Sequence, residues 1–108
     1  MPLTRDFRET VLEAAHQDAE YRRGLLTRGI GFLLSGKPED VAVGKSLVRD
    51  YINATIGFKE LAFQLDKKPQ SLMRMFSVSG NPRLDSLTDV LAALQEHEGI
   101  HLTIEAAE

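Results

Sequence analysis

Apolar residues recur at helical intervals along most of this chain. Phe7, Val11, Leu12 and Ala15 repeat every three or four residues, and Tyr21, Leu25, Leu26, Ile30 and Leu33 do so again beyond a polar interval at His16 to Asp18. Two helices, or one kinked helix, follow from that pattern, with Asp18 suited to cap the second. The stretch "SGKP" at 35–38 supplies a glycine stop and then a proline at a first-turn position, where its missing amide is no loss. Glu39 and Asp40 come next, where a helix dipole favours negative charge. Val41, Gly44, Leu47, Val48, Tyr51 and Ile52 hold one stripe, which predicts a helix over 38–54. Phe58, Leu61, Ala62 and Leu65 predict a two-turn helix. Leu72, Met75 and Phe76 predict another, opened by Pro69. "SVSGNP" at 77–82 has the turn chemistry of a loop, and Leu84, Leu87, Val90, Leu91 and Leu94 mark a final helix that stops near Gly99.

The tail breaks the pattern. "IHLTIE" at 100–105 alternates apolar and polar residues, which predicts a short C-terminal β-strand. A lone strand cannot satisfy its own backbone groups, so its expected partner is the same strand of a second copy or the sheet edge of another protein, the alternative being a frayed end. The expected organisation is an all-α chain of five or six helices: an N-terminal helical extension at 1–37 offering a dimer or partner surface, a central unit at 38–98, and the strand and tail at 99–108.

Composition narrows the function classes. A chain of 108 residues with 43% hydrophobic and 27% charged residues suits one globular core. Without cysteine it holds no disulfide, no thiolate metal site and no cysteine nucleophile, as suits a reducing compartment; the cytoplasm is the expected location. The longest apolar run, Ile30 to Leu34, is interrupted by Gly31 and falls far short of the roughly 20 residues that cross a bilayer. The start, "MPLTRDFRET", is charged and lacks the apolar stretch of a secretory signal, so no membrane association is expected. His97 and His101 are four apart, but Gly99 lies between them and no third ligand is evident. No metal or cofactor is expected, and the absence of any nucleophile–base motif argues against an enzyme.

The formal net charge of -3 hides an uneven distribution. Residues 1–40 carry six Lys or Arg against seven Asp or Glu, net -1; residues 41–84 carry seven against three, net +4; residues 85–108 carry none against six, net -6. A polyanion would therefore meet the middle of the chain. The acidic end would serve as a solvated face or present charge to a basic partner.

Within that basic stretch, a short helix, a tight turn and a second short helix have the layout of a helix-turn-helix, whose second helix enters the DNA major groove. With Leu72, Met75 and Phe76 inward, the helical period leaves Pro69, Gln70, Ser71, Met73, Arg74 and Ser77 on the other side or its margins. Gln bonds an adenine edge, and Arg a guanine edge, through two hydrogen bonds, so Gln70 and Arg74 are the expected base readers. Lys59, Lys67 and Lys68 lie near the turn or on the first helix, where they would contact phosphates, with Ser77 at the far margin.

These residues resemble a known family. From about Ser46 to Leu94 the chain is similar to the lambda-repressor/Cro-like (Xre-type) helix-turn-helix proteins. "ELAFQL" stands for the positioning helix, "KKPQSLMRMF" for the recognition helix, "SGNP" for the loop and "LDSLTDVLAALQ" for the leucine-rich helix that follows. "RDYINATIGFKELA" and "SLMRMFSVSGNP" look typical of the addiction-module antidote branch, the antitoxins of bacterial type II toxin–antitoxin modules and regulators descended from them. The resemblance implies a lambda-repressor-like bundle that dimerises, binds palindromic double-stranded operator DNA at its own promoter, and sequesters a toxin, often an RNA-cleaving enzyme. Carried onto this chain, the major-groove contacts fall on Gln70 and Arg74, flanked by Pro69, Ser71 and Met73. The chain departs from the pattern where Asp66 occupies the usual turn glycine and where Phe58 replaces a polar phosphate-binding residue. Two alternatives are a stand-alone regulator without a toxin and a helical interaction module whose helix-turn-helix no longer binds DNA.

Overall fold

The structure, a computed structural model, describes residues 3–108, with side chains at residue 7 and from residue 9 onward. Among these residues there are six helices: α1 (Leu3–Gln17), α2 (Ala19–Ser35), α3 (Pro38–Ala54), α4 (Phe58–Leu65), α5 (Pro69–Met75) and α6 (Leu84–Glu98). The boundaries follow local chemistry. The Asp18 carboxylate accepts from the backbone amides of Glu20 at 3.0 Å and Tyr21 at 3.3 Å, and so starts α2 one residue after α1 ends. Gly36, at φ 73°, turns the chain out of α2, and Pro38 opens α3 at its first turn.

Helices α2 and α3 pack closely because glycines meet at their crossing. A β-carbon on Gly44 would lie 2.6 Å from the Gly29 carbonyl oxygen and 2.9 Å from Leu33 Cγ, while one on Gly29 would lie 2.9 Å from Val48 Cγ2. Only the absence of side chains lets the backbones come this near. Gly29 lies in register with Leu25, Leu26 and Leu33, but spacing alone does not reveal that a second helix approaches closely there.

One core joins every helix. Ala15 of α1, Leu25 and Leu26 of α2, and Val48, Tyr51 and Ile52 of α3 are buried together with Phe58 and Leu61 of α4, Leu72 of α5, and Val90 and Leu94 of α6. The rings of Phe58 and Phe76 stand 6.3 Å apart between centroids at 52°, within the range favourable for aromatic pairs. Phe58 starts α4 as a core residue, as its place in the apolar pattern predicts.

Three expectations are corrected. The described tail forms no strand: the Leu102 amide donates to Gln95 Oε1 at 2.9 Å, while Ile100 and Leu102 pack against the helical core. A strand needs another strand's backbone, and this fold offers the tail only helix surfaces and a side-chain amide. Phe7 and Leu84, both counted as inward from their spacing, are 72% and 77% exposed. Leu84 is the first residue of α6, and Phe7 lies one turn into α1. Among the described residues, no helix is long and apolar enough to cross a membrane.

Candidate nucleic-acid interface

Helices α4 and α5 are joined by Asp66–Lys68, and the geometry of the turn centres on Asp66 at φ 54° and ψ 47°. This left-handed conformation costs most residues about 1–2 kcal/mol but is tolerated by aspartate. It lets the Asp66 and Lys67 amides fold back onto the end of α4, with Lys67 donating to the Ala62 carbonyl at 2.9 Å. The chain then restarts at once, with Pro69 in the first turn of α5.

The turn sorts the side chains of α5. Leu72 and the capping residue Phe76 are buried, at 0% and 1% exposure, and Met75 is half-buried. Gln70, Ser71, Met73 and Arg74 face outward, and Pro69 is half-buried beside them. The exposed face therefore presents an amide, a hydroxyl, a thioether and a guanidinium in little more than one turn. Amide and guanidinium groups are the two that bond base edges through paired hydrogen bonds. Lys59 and Lys68 are exposed and Lys67 is half-buried; Lys59, Lys67 and Pro69 line one shallow depression together with the exposed Phe63. Ser71 and Arg74 line a separate cleft of about 150 Å³ with Asn81 and Pro82 of the following loop.

Ser77 is engaged elsewhere. Its hydroxyl donates to the Arg74 carbonyl at 2.7 Å, which commits its hydrogen to the end of α5. Two cations of the basic stretch also point inward. Lys45, 8% exposed, donates from Nζ to the carbonyls of Val78 at 3.0 Å and Gly80 at 2.9 Å. Arg49 Nη1 donates to the Phe76 carbonyl at 3.2 Å. The +4 of residues 41–84 thus includes one buried cation, Lys45, and one half-buried cation tied to the backbone, Arg49. Apolar spacing gave no hint of this, because Lys45 sits beside Gly44 on the inward side of α3, where a long side chain reaches the loop.

Glu98 is the other group the sequence misplaced, counted as part of a solvated acidic end. It is buried, with Arg22 Nε at 2.8 Å from Oε1, Arg23 Nε at 3.1 Å from Oε2, and the Tyr51 hydroxyl donating to Oε1 at 2.7 Å. Burial works to raise the carboxyl pKa, but the hydrogen bonds from Arg22, Tyr51 and Arg23 outweigh it and hold it below the usual value. Burial and the bond to Glu98 push the Tyr51 phenol up, and the bond to Glu98 raises Arg22. The cluster ties α2, α3 and α6 together. Among the described residues, no group of three or more His, Cys, Asp or Glu is placed to hold a metal ion.

No family model matches the chain, and neither a curated protein nor a solved structure matches it.

Proposed function

We propose that this protein is a sequence-specific DNA-binding transcriptional regulator, built on a lambda-repressor/Cro-like helix-turn-helix with α4 as the positioning helix and α5 as the recognition helix. The observation that carries this reading is the sorting of α5, with Leu72 and Phe76 in the core and Gln70, Ser71, Met73 and Arg74 outside. Gln70 and Arg74 read bases, Met73, Ser71 and Pro69 shape the contact, and Lys59, Lys67 and Lys68 hold phosphates. A homodimer places two recognition helices in successive major grooves, about 34–36 Å apart, on a palindromic operator.

Gel-shift titration against the DNA upstream of its own gene tests the reading. Arg74→Ala should weaken binding by about 1–3 kcal/mol and relax the sequence preference. Unchanged affinity and preference would remove Arg74 from base reading.

A further step makes the protein the antitoxin of a type II module, repressing its own operon and neutralising a toxin of the RNase type. It is supported by the similarity of "RDYINATIGFKELA" and "SLMRMFSVSGNP" to the addiction-module antidote branch. Co-expression with the adjacent small reading frame tests it: no complex and no rescue of growth would leave a stand-alone autoregulator. The inward placement of Lys45 and Arg49 favours one competing reading, a helical interaction module that no longer binds DNA. A steep fall of DNA affinity with added salt argues against that module, because counterion release requires phosphate contacts.

A further inference from the structure

Lys45 is the one lysine of the basic stretch held inside the fold, and its surroundings suggest what it does. From α3 its ammonium donates to two carbonyls of the loop that follows α5, those of Val78 and Gly80. One turn further along α3, Arg49 donates to the carbonyl of Phe76, the residue that ends α5. Two cationic arms from one helix face thus hold the end of α5 and the loop beyond it. Positive charge at a helix C-terminus is favourable, and the Phe76 carbonyl at the end of α5 is one that the helix itself leaves without a partner.

The loop so held lies against the backbone of Arg74. The Arg74 carbonyl accepts from the Ser77 amide at 3.2 Å and from the Ser77 hydroxyl at 2.7 Å. A β-carbon on Gly80 would lie only 2.0 Å from that same oxygen and 2.8 Å from the Met75 carbonyl oxygen. The loop therefore packs on the peptide that carries the Arg74 side chain, and Lys45 fixes the loop on both sides of Ser79.

We infer that Lys45 is a positioning residue for DNA recognition: through the loop at 77–80 it sets how the last turn of α5 presents Arg74, without touching DNA itself. The inference rests on the helix-turn-helix reading above. It assigns Lys45 a role opposite to that of Lys67 and Lys68. Those act through charge at a phosphate, whereas Lys45 acts through geometry at a pair of loop carbonyls.

The test measures DNA affinity across a salt series for the full chain and two variants, alongside thermal melting. Lys45→Met keeps the length of the side chain and removes its donors. Gly80→Ala keeps Lys45 but drives the loop off the Arg74 carbonyl. Each should lower affinity for the upstream fragment about tenfold while leaving the salt slope as in the wild type. A lysine on a phosphate would instead flatten that slope by about 1. In an Arg74→Ala background, Lys45→Met should add less than about twofold, since both changes act on one contact. Wild-type affinity in a folded Lys45→Met, a flattened slope, or additive losses would overturn the inference. If melting shows Lys45→Met unfolded, Gly80→Ala decides alone, and wild-type binding by it overturns the inference. A wild type that binds no such fragment overturns the DNA reading and this inference together; a wild type that binds, with variants equal to it, overturns only the inference.

Discussion

The Tyr51 hydroxyl donates to Glu98 Oε1 over 2.7 Å, joining the last turn of α3 to the last residue of α6. Tyr51 is fully buried, and the same carboxylate takes Arg22 and Arg23 of α2 on its two oxygens. A buried carboxylate left without its partners costs several kcal/mol, so the cluster matters more for what its loss would expose than for its net gain.

Glu98→Gln should destabilise the protein by about 3 kcal/mol, because it leaves two guanidinium groups facing a neutral amide. Tyr51→Phe removes one donor from a carboxylate that keeps two others, and should cost about 1–2 kcal/mol. Urea unfolding at neutral pH measures both. A Tyr51→Phe loss equal to that of Glu98→Gln would contradict this ranking.

The cluster also sets the pH dependence. The Glu98 pKa in the folded state lies below its ordinary value of 4.5, so its contribution is complete above that value and is lost as pH falls through the depressed one. The Tyr51 pKa in the folded state lies above its ordinary 10.0, so its contribution is complete below pH 10.0 and is lost as pH rises beyond it. Wild type should lose more stability than Glu98→Gln as pH falls below 4.5, and more than Tyr51→Phe as pH rises above 10.0. Parallel stability curves for wild type and variants would contradict the linkage.

The glycine crossing gives a paired test. Gly44→Ala places a methyl 2.6 Å from the Gly29 carbonyl oxygen, and the strain should outweigh the better helix propensity, for a net loss of about 1–3 kcal/mol. Gly31→Ala in α2 meets nothing within 4 Å and should instead stabilise by about 0.5–1 kcal/mol. Thermal melting of the two variants should therefore move in opposite directions.

Asp66 can be tested through its backbone alone. Asp66→Gly should be neutral or stabilising by up to about 1 kcal/mol, since glycine takes the left-handed turn without strain, whereas Asp66→Val should destabilise by more than that. Chemical denaturation of the two variants checks the order.

The helices were legible because their signals are local. Asp18, Gly36, Pro38, Pro69 and Gly99 each act on the backbone within a few residues, and the structure starts or stops a helix at every one. The outward set on α5 was legible for the same reason, since Leu72 and Phe76 define the inward side by spacing alone. What escaped depends on contacts between distant residues. Glu98 reads as one more acid until Arg22, 76 positions away, is brought beside it. Lys45 reads as surface charge until the loop 33 residues later folds under it. The tail reads as a strand because alternation records a pattern of faces and not the presence of a partner.

That 76-residue separation bears on the order in which the fold closes. Arg22 and Arg23 meet their acceptor only when α6 docks. Leu25 and Leu26 of α2 share the buried core with Val48 and Ile52 of α3, much nearer in sequence. Groups far apart in sequence cost more entropy to join, so the ion cluster should close after the α2–α3 pair. A chain cut before Glu98 would keep Tyr51 and both arginines but lose their acceptor, and with it the link between α2, α3 and α6.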